Sequence, residues 1–301
     1  MALAASDDGH ALVASLDSSE VVDLVRVESL LLEGADASDT FLIGDLSATH
    51  VKTLTIDLST AFGSGATPDA FEDSVGMAGT TRSDRINISS TTTTVKVTGL
   101  STTLTVRFLD PLVDELAVIG DRGNDQINAS KVLASQGGIT LAGGAGRDTL
   151  IGSPGDNFLS GDDGADFLDG GKGSDNLFGG TFLLADLSRD RLKGGGGQDL
   201  FWIALPNTSA NADAILDFKP GIDTIVLFDS EVIDALGMSV DFDEFHIGKG
   251  AADPNDHLVY NARTGALFFD ANGSEDGMAI KIATLSRGLP LTANDFFVLL
   301  P

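Results

Sequence analysis

A chain of 301 residues allows one elongated domain or two, and at 42% hydrophobic it holds enough apolar material for a continuous core. The formal net charge of −27 and pI near 4.1 make nucleic acid and anionic membrane surfaces poor partners, and they leave a compact state that repels itself until cations neutralise it. Cysteine is absent, which excludes disulfides, thiolate metal sites and a thiol nucleophile.

Residues 1–33 form a lead-in. They show neither a basic start followed by an apolar core nor an apolar run of about eighteen residues, so export through the usual N-terminal signal is not expected. The apolar pattern VVDLVRVESLLL (21–32) fits a short strand or a helix, because its period is ambiguous. The chain reads like the later part of something larger.

From 34 to 141 the sequence is rich in Thr, Val and Ile in short alternating runs (KTLTIDL, TTVKVTGL, TLTVRFL, ELAVIG), which predict strands of about five to seven residues between Gly, Ser and Asp turns. Three loose copies of a nine-residue pattern punctuate it: GADASDTFL (34–42), GTTRSDRIN (79–87) and GDRGNDQIN (120–128). Each keeps an Asp-x-apolar step, at Asp39, Asp84 and Asp125. We expect an irregular parallel β-helix or roll here, with an ordinary β-sandwich as the alternative. Asp125 is the expected extra metal ligand of this segment, while Asp39 and Asp84 read as turn residues.

Between 143 and 202 the pattern becomes strict: GGAGRDTLI, GSPGDNFLS, GDDGADFLD, GGKGSDNLF, GGTFLLADLSRDRLK and GGGGQDLFW. The rule is Gly-Gly-x-Gly-x-Asp-x-Leu-x, with the fifth repeat lengthened. Glycines at positions one, two and four suit tight turns that need positive φ. Position eight (Leu150, Leu159, Leu168, Leu177, Leu192, Phe201) supplies one inward side chain per short strand. The chain then reverses every nine residues, and turns of repeats i and i+2 stack on the same side. Stacked strands lie about 4.8 Å apart and calcium–oxygen bonds span about 2.3–2.6 Å, so one cation between stacked turns reaches both layers. The expected carboxylate pairs are Asp148 with Asp166, Asn157 with Asp175, Asp166 with Asp190, and Asp175 with Asp199. Carbonyls of the glycine turns complete the shell. Asn157 brings an oxygen without charge and predicts the weakest site, and Asp163 is a further candidate. A phosphate-binding loop is excluded, because Lys172 precedes Gly173 where that motif requires Ser or Thr.

These six repeats resemble the RTX (repeats-in-toxin) family of secreted bacterial calcium-binding proteins, whose nonapeptide has this form. The resemblance implies a right-handed parallel β-helix or β-roll, all-β, binding several calcium ions. The metal-site residues it implies are Gly144, Gly146, Asp148, Asn157, Gly161, Asp163, Asp166, Gly171, Gly173, Asp175, Asp190, Gly195, Gly197 and Asp199, with Asp125 upstream. It continues past Trp202 in NADAILDFKPGIDTIVLF, where family members commonly carry Asp-x-Ile-x-Asp-Phe-x-x-Gly-x-Asp-x-Ile. Asp213, Asp217 and Asp223 match and are expected either to finish the last calcium site or to sit in polar turns of a capping strand pair.

The insertion TFLLADLS (181–188) is too apolar for a solvated loop. Repeats two, four and six should share one sheet with Phe158, Phe178, Leu200 and Trp202 facing outward, covered by the insertion or by the C-terminal segment. Residues 203–301 read as a β cap with a short helix at 230–237, a hairpin over 257–270 and a strand near 278–285. The final LTANDFFVLLP resembles the uncleaved export signal of type I secretion substrates.

No H-E-x-x-H or G-x-S-x-G motif occurs, so the protease and lipase that often accompany such repeats are absent. The acidic run Asp241, Asp243 and Glu244 reads as a solvated turn. Segment 34–141 offers few basic or aromatic residues to hold a sugar acid. The expectation is a non-catalytic, secreted calcium-binding module with a structural or adhesive role. Its expected partners are calcium ions, the type I secretion apparatus, and a cell surface or further copies of itself. The alternative is the calcium-binding and secretion region of a larger extracellular enzyme.

Overall fold

Alternation of apolar and polar residues translates into strands almost throughout. In the computed structural model the described residues are 2–5, 11–14, 21–24, 26–34, 38–59, 67–68, 71–180, 188–205, 209–228, 235–236, 240, 243–273 and 279–299. The insertion at 181–187 and nearly all of the helix expected at 230–237 lie outside them, as does Asp241. The strands group into two units, Met1–Asn157 and Phe158–Pro301. Among the described residues no helix is long and apolar enough to cross a membrane.

In the first unit two sheets stack strands mainly in parallel. One runs through Thr40–Ile43, Ser74–Ala78, Glu115–Ile119 and Thr140–Ala145, paired in that order. The other carries Ser29–Glu33, Thr53–Asp57 and Thr103–Arg107 in parallel, and Arg85–Ser90, Gln126–Lys131 and Thr149–Ile151 in parallel. The two parallel groups are joined by Thr94–Thr98, which pairs antiparallel with both Arg85–Ser90 and Thr103–Arg107. The irregular parallel helix or roll expected for this segment thus includes a three-strand meander. The ambiguous stretch 21–32 resolves into strands, Val21–Leu24 and Ser29–Glu33. Alternation sets which side chains enter the core: Leu54, Ile56, Val95, Val97, Leu104, Val106, Leu116 and Val118 are fully buried.

In the second unit, Phe158–Asp163, Asn176–Phe178, Leu200–Ile203, Thr224–Leu227 and Phe296–Val298 form one parallel sheet. Repeats two, four and six thus share a sheet, as their spacing requires. The other sheet pairs Phe167–Lys172, Arg191–Gly196, Asp213–Ile215 and Ile280–Thr284 in parallel. It continues antiparallel into the hairpin Leu258–Asn261 and Ala266–Phe269. Position eight is buried in all six repeats, at 0% exposure from Leu150 to Phe201. Each such side chain contributes about 1.5–3 kcal/mol of burial. On the outer face Phe178 is also buried, because the Phe228 ring stands 5.2 Å from it and 6.1 Å from Trp202. The C-terminal segment therefore covers this part of the face.

Candidate metal centre

Positive φ occurs at two of the three glycine positions. It is found at position two (Gly144, Gly171, Gly195) and position four (Gly146, Gly164, Gly173, Gly197), and Asp121 and Asp162 also adopt it at position two. Position one is glycine for a different reason. A methyl group on Gly120 would stand 2.5 Å from Asp125 Oδ2, and one on Gly161 would stand 2.6 Å from Asp166 Oδ2. Gly170, Gly179 and Gly194 face Oδ2 of Asp175, Asp190 and Asp199 more closely still. The position-six carboxylate folds back over the first glycine of its own repeat, and a Cβ there would displace it.

The other carboxylate oxygen reaches along the stack. In the first unit, the Asp84 N–H donates to Asp125 Oδ1 at 2.6 Å and the Asp125 N–H donates to Asp148 Oδ1 at 2.7 Å. In the second unit, Asp166 donates to Asp190 Oδ1 at 2.8 Å and Asp190 to Asp213 Oδ1 at 2.9 Å. On the opposite side Asp175 donates to Asp199 Oδ1 at 3.1 Å and Asp199 to Asp223 Oδ1 at 3.2 Å. Two expected pairs, Asp166 with Asp190 and Asp175 with Asp199, are thereby brought together. Asp148 with Asp166 and Asn157 with Asp175 each have one member in either unit. Asp163 lies exposed, away from these ladders.

One ladder was not read from sequence. Asp39 donates to Asp73 Oδ1 at 2.7 Å, and Asp73 to Asp114 Oδ1 at 3.0 Å. Asp39 and Asp84 therefore belong to ladders besides serving their own turns. Asp73 and Asp114 lack the glycines of the repeat, but each stands two residues before a buried strand residue, Val75 and Leu116. The Asp-x-apolar step alone was the available signal.

The turns fit a hard cation. Oδ2 of Asp125 and of Asp199 is buried without a hydrogen-bond donor, a costly state for a carboxylate unless a positive charge answers it. Burial pushes the Asp125 carboxyl up from 3.8 to about 6, against the lowering effect of its hydrogen bond with Asp84, and the charges of Asp148, Asp84 and Asp121 add to the rise. Burial likewise raises Asp199 and Asp223. Carbonyl oxygens approach the glycines of the neighbouring layer: a Cβ on Gly144 would meet Asp121 O and one on Gly146 would meet Gly123 O, while Gly195 and Gly197 face Gly171 O and Gly173 O. Among the described residues no three carboxylate or imidazole groups form a metal-sized cluster. A cation here would therefore draw its remaining ligands from backbone oxygens, as calcium readily does.

The acidic residues after the repeats divide by role. Asp213 and Asp223 extend the two ladders, each accepting the N–H of the preceding rung. Asp217 takes Gly194 N–H on Oδ1 and Gly195 N–H on Oδ2, both at 2.9 Å. Asp295, in the expected export signal, is buried and accepts from Gly221 N–H at 2.6 Å and Thr292 N–H at 2.7 Å.

A parallel roll whose turns stack buried carboxylates against glycine carbonyls defines a repeat protein built to bind hard cations. Residues 142–177 match the family of the RTX calcium-binding nonapeptide repeat, in four copies. That stretch of the chain carries RTX-type calcium-binding repeats. A search of curated proteins finds no match. Among solved structures, the chain is similar to the AlgE6R3 subunit of the Azotobacter vinelandii mannuronan C5-epimerase at 22% identity and a TM-score of 0.23, over 52% of this chain and 76% of that one.

Proposed function

We propose that this chain is a non-catalytic, secreted module that gains its shape by binding several calcium ions outside the cell, where it serves a structural or adhesive role. The observation that carries the reading is the set of buried position-six carboxylates whose Oδ2 faces the glycine turn. Ligands come from Asp125, Asp148, Asp166, Asp175, Asp190 and Asp199, with carbonyls of the position-two and position-four glycines. When bound, calcium supplies positive charge to these carboxylates.

The chain's own residues do the rest. Glycine at position one leaves room for the carboxylate, Oδ1 holds neighbouring layers in register, and position eight anchors each turn to the core. Extracellular modules bind calcium at about 10⁻⁴–10⁻³ M. In a calcium-poor cytosol the repeats stay unfolded through self-repulsion and can pass outward by a type I route guided by the C-terminal segment. Binding outside couples directly to folding.

Far-ultraviolet circular dichroism with calcium and with EGTA tests this. Strand signal should appear on calcium addition and vanish on chelation, with a midpoint in the stated range. Equal strand content in both conditions would overturn the reading.

A further inference from the structure

We propose that Lys219 is a tethered cation that takes the calcium position at the last turn, so that the Asp199–Asp223 step closes without metal. The inference rests on the calcium reading above. Gly195 is the position-two glycine of the sixth repeat, and its carbonyl belongs to the oxygen set expected to hold calcium. Lys219 Nζ donates a hydrogen bond to that oxygen. Asp199 and Asp223 are consecutive rungs of one ladder; burial raises both carboxyls, and the ammonium of Lys219 works against that rise.

The lysine is held in place from its backbone. Its N–H donates to Asp223 Oδ2 at 2.8 Å, and its carbonyl accepts from Asp223 N–H at 2.9 Å and Ile222 N–H at 3.1 Å. Pro220 follows it, and Gly221 completes the turn at φ 74°. Asp217 grips the Gly194 and Gly195 amides on the same layer. One position-two carbonyl therefore meets an ammonium carried by the chain itself, whose charge also acts on the carboxylates of the two rungs. Lys193 differs: its partner is Asp169 at 2.8 Å, across the strand pair Arg191–Gly196 and Phe167–Lys172.

A second turn is closed independently by Asn157. Its Nδ2 donates to Ser153 O at 3.0 Å and Gly155 O at 2.5 Å, the position-two and position-four carbonyls of its own repeat. Its Oδ1 accepts from Ser153 N–H, Ser153 Oγ and Ile139 N–H. Those donors fix the amide's orientation, and its NH₂ group meets the carbonyls that a cation would otherwise bind. The expected weak site at Asn157 becomes a metal-free turn.

Calcium stoichiometry by isothermal titration calorimetry, on the full chain, tests both positions. Lys219→Gln should take up one more calcium than wild type, and Lys219→Arg should match wild type. Asn157→Asp should likewise gain one ion. Unchanged stoichiometry in Lys219→Gln or in Asn157→Asp overturns the proposal for that position. Acetylation of calcium-loaded wild type, read by mass spectrometry, covers a variant that does not fold. Lys219 should be modified several-fold more slowly than the exposed Lys96 and Lys249, and labelling at their rate overturns its assignment. For Asn157 the corresponding measurement is hydrogen exchange in wild type: the Ser153 and Ile139 amides should exchange equally slowly with calcium and with EGTA, and their exposure by EGTA overturns that assignment. A wild type that binds no calcium at all defeats the underlying reading instead.

Discussion

Asp125 shows how a single carboxylate links proton, metal and fold. Its carboxyl rises from 3.8 to about 6, chiefly because it is buried. Between those two values the folded chain keeps a proton that the unfolded chain has released. Stability of the calcium-free fold therefore falls as pH rises through that window, and it recovers as pH falls. Calcium binding has the opposite sign, since the ion must displace the proton. Calcium affinity should thus be several-fold weaker at about pH 5 than at about pH 7, while strand content in EGTA should be greater at the lower pH. Titrations at the two values check this, and a calcium affinity independent of pH would contradict it.

Residue identity made this site partly legible. Position six and its glycines stand out because nine-residue phasing repeats them, and burial of Asp148, Asp166, Asp175, Asp190 and Asp199 follows from that phasing. Asp73 and Asp114 escaped notice because their turns carry no glycine signature. Lys219 was hidden in a different way. A lysine among aspartates looks solvated until the fold brings the sixth repeat beside it. Position one was legible as glycine but not for its true reason, which is the space its own aspartate occupies.

At the level of elements, each repeat contributes one short strand whose place is set by a single buried side chain. Leu168 sits in Phe167–Lys172 at 0% exposure, with Leu192 as its register partner in Arg191–Gly196. Leu168→Ala removes part of that column and should destabilise the calcium-loaded protein by about 2–5 kcal/mol in urea denaturation. A loss below about 1 kcal/mol would mean that the strand is not anchored through this side chain. The alternating runs of the first unit were readable as strands for the same reason. Their direction was not: TTVKVTGL has the apolar alternation of its neighbours, and only the short connections at 91–93 and 99–102 turn it antiparallel. The stretch 21–32 was ambiguous because its apolar residues satisfy either period.

For the whole molecule, charge sets the condition under which these elements assemble. A formal net charge of −27 cannot concentrate into stacked acidic turns without opposing charge. Hydrogen bonds from backbone N–H groups to Oδ1 hold the ladders but leave Oδ2 of Asp125 and Asp199 without a hydrogen-bond donor. Calcium supplies the answering charge in the proposed function, with Lys219 and Asn157 closing the turns that need none. The most direct measurement is diffraction from crystals grown in millimolar calcium, with anomalous maps used to locate the ions. Ions should appear bonded to Asp125, to Asp190 and, in the Asp175–Asp199 step, to Asp199, together with glycine carbonyls, and none should appear at Lys219 or Asn157. Ordered turns around Asp190 and Asp199 with no ion in them would contradict a roll held together by calcium.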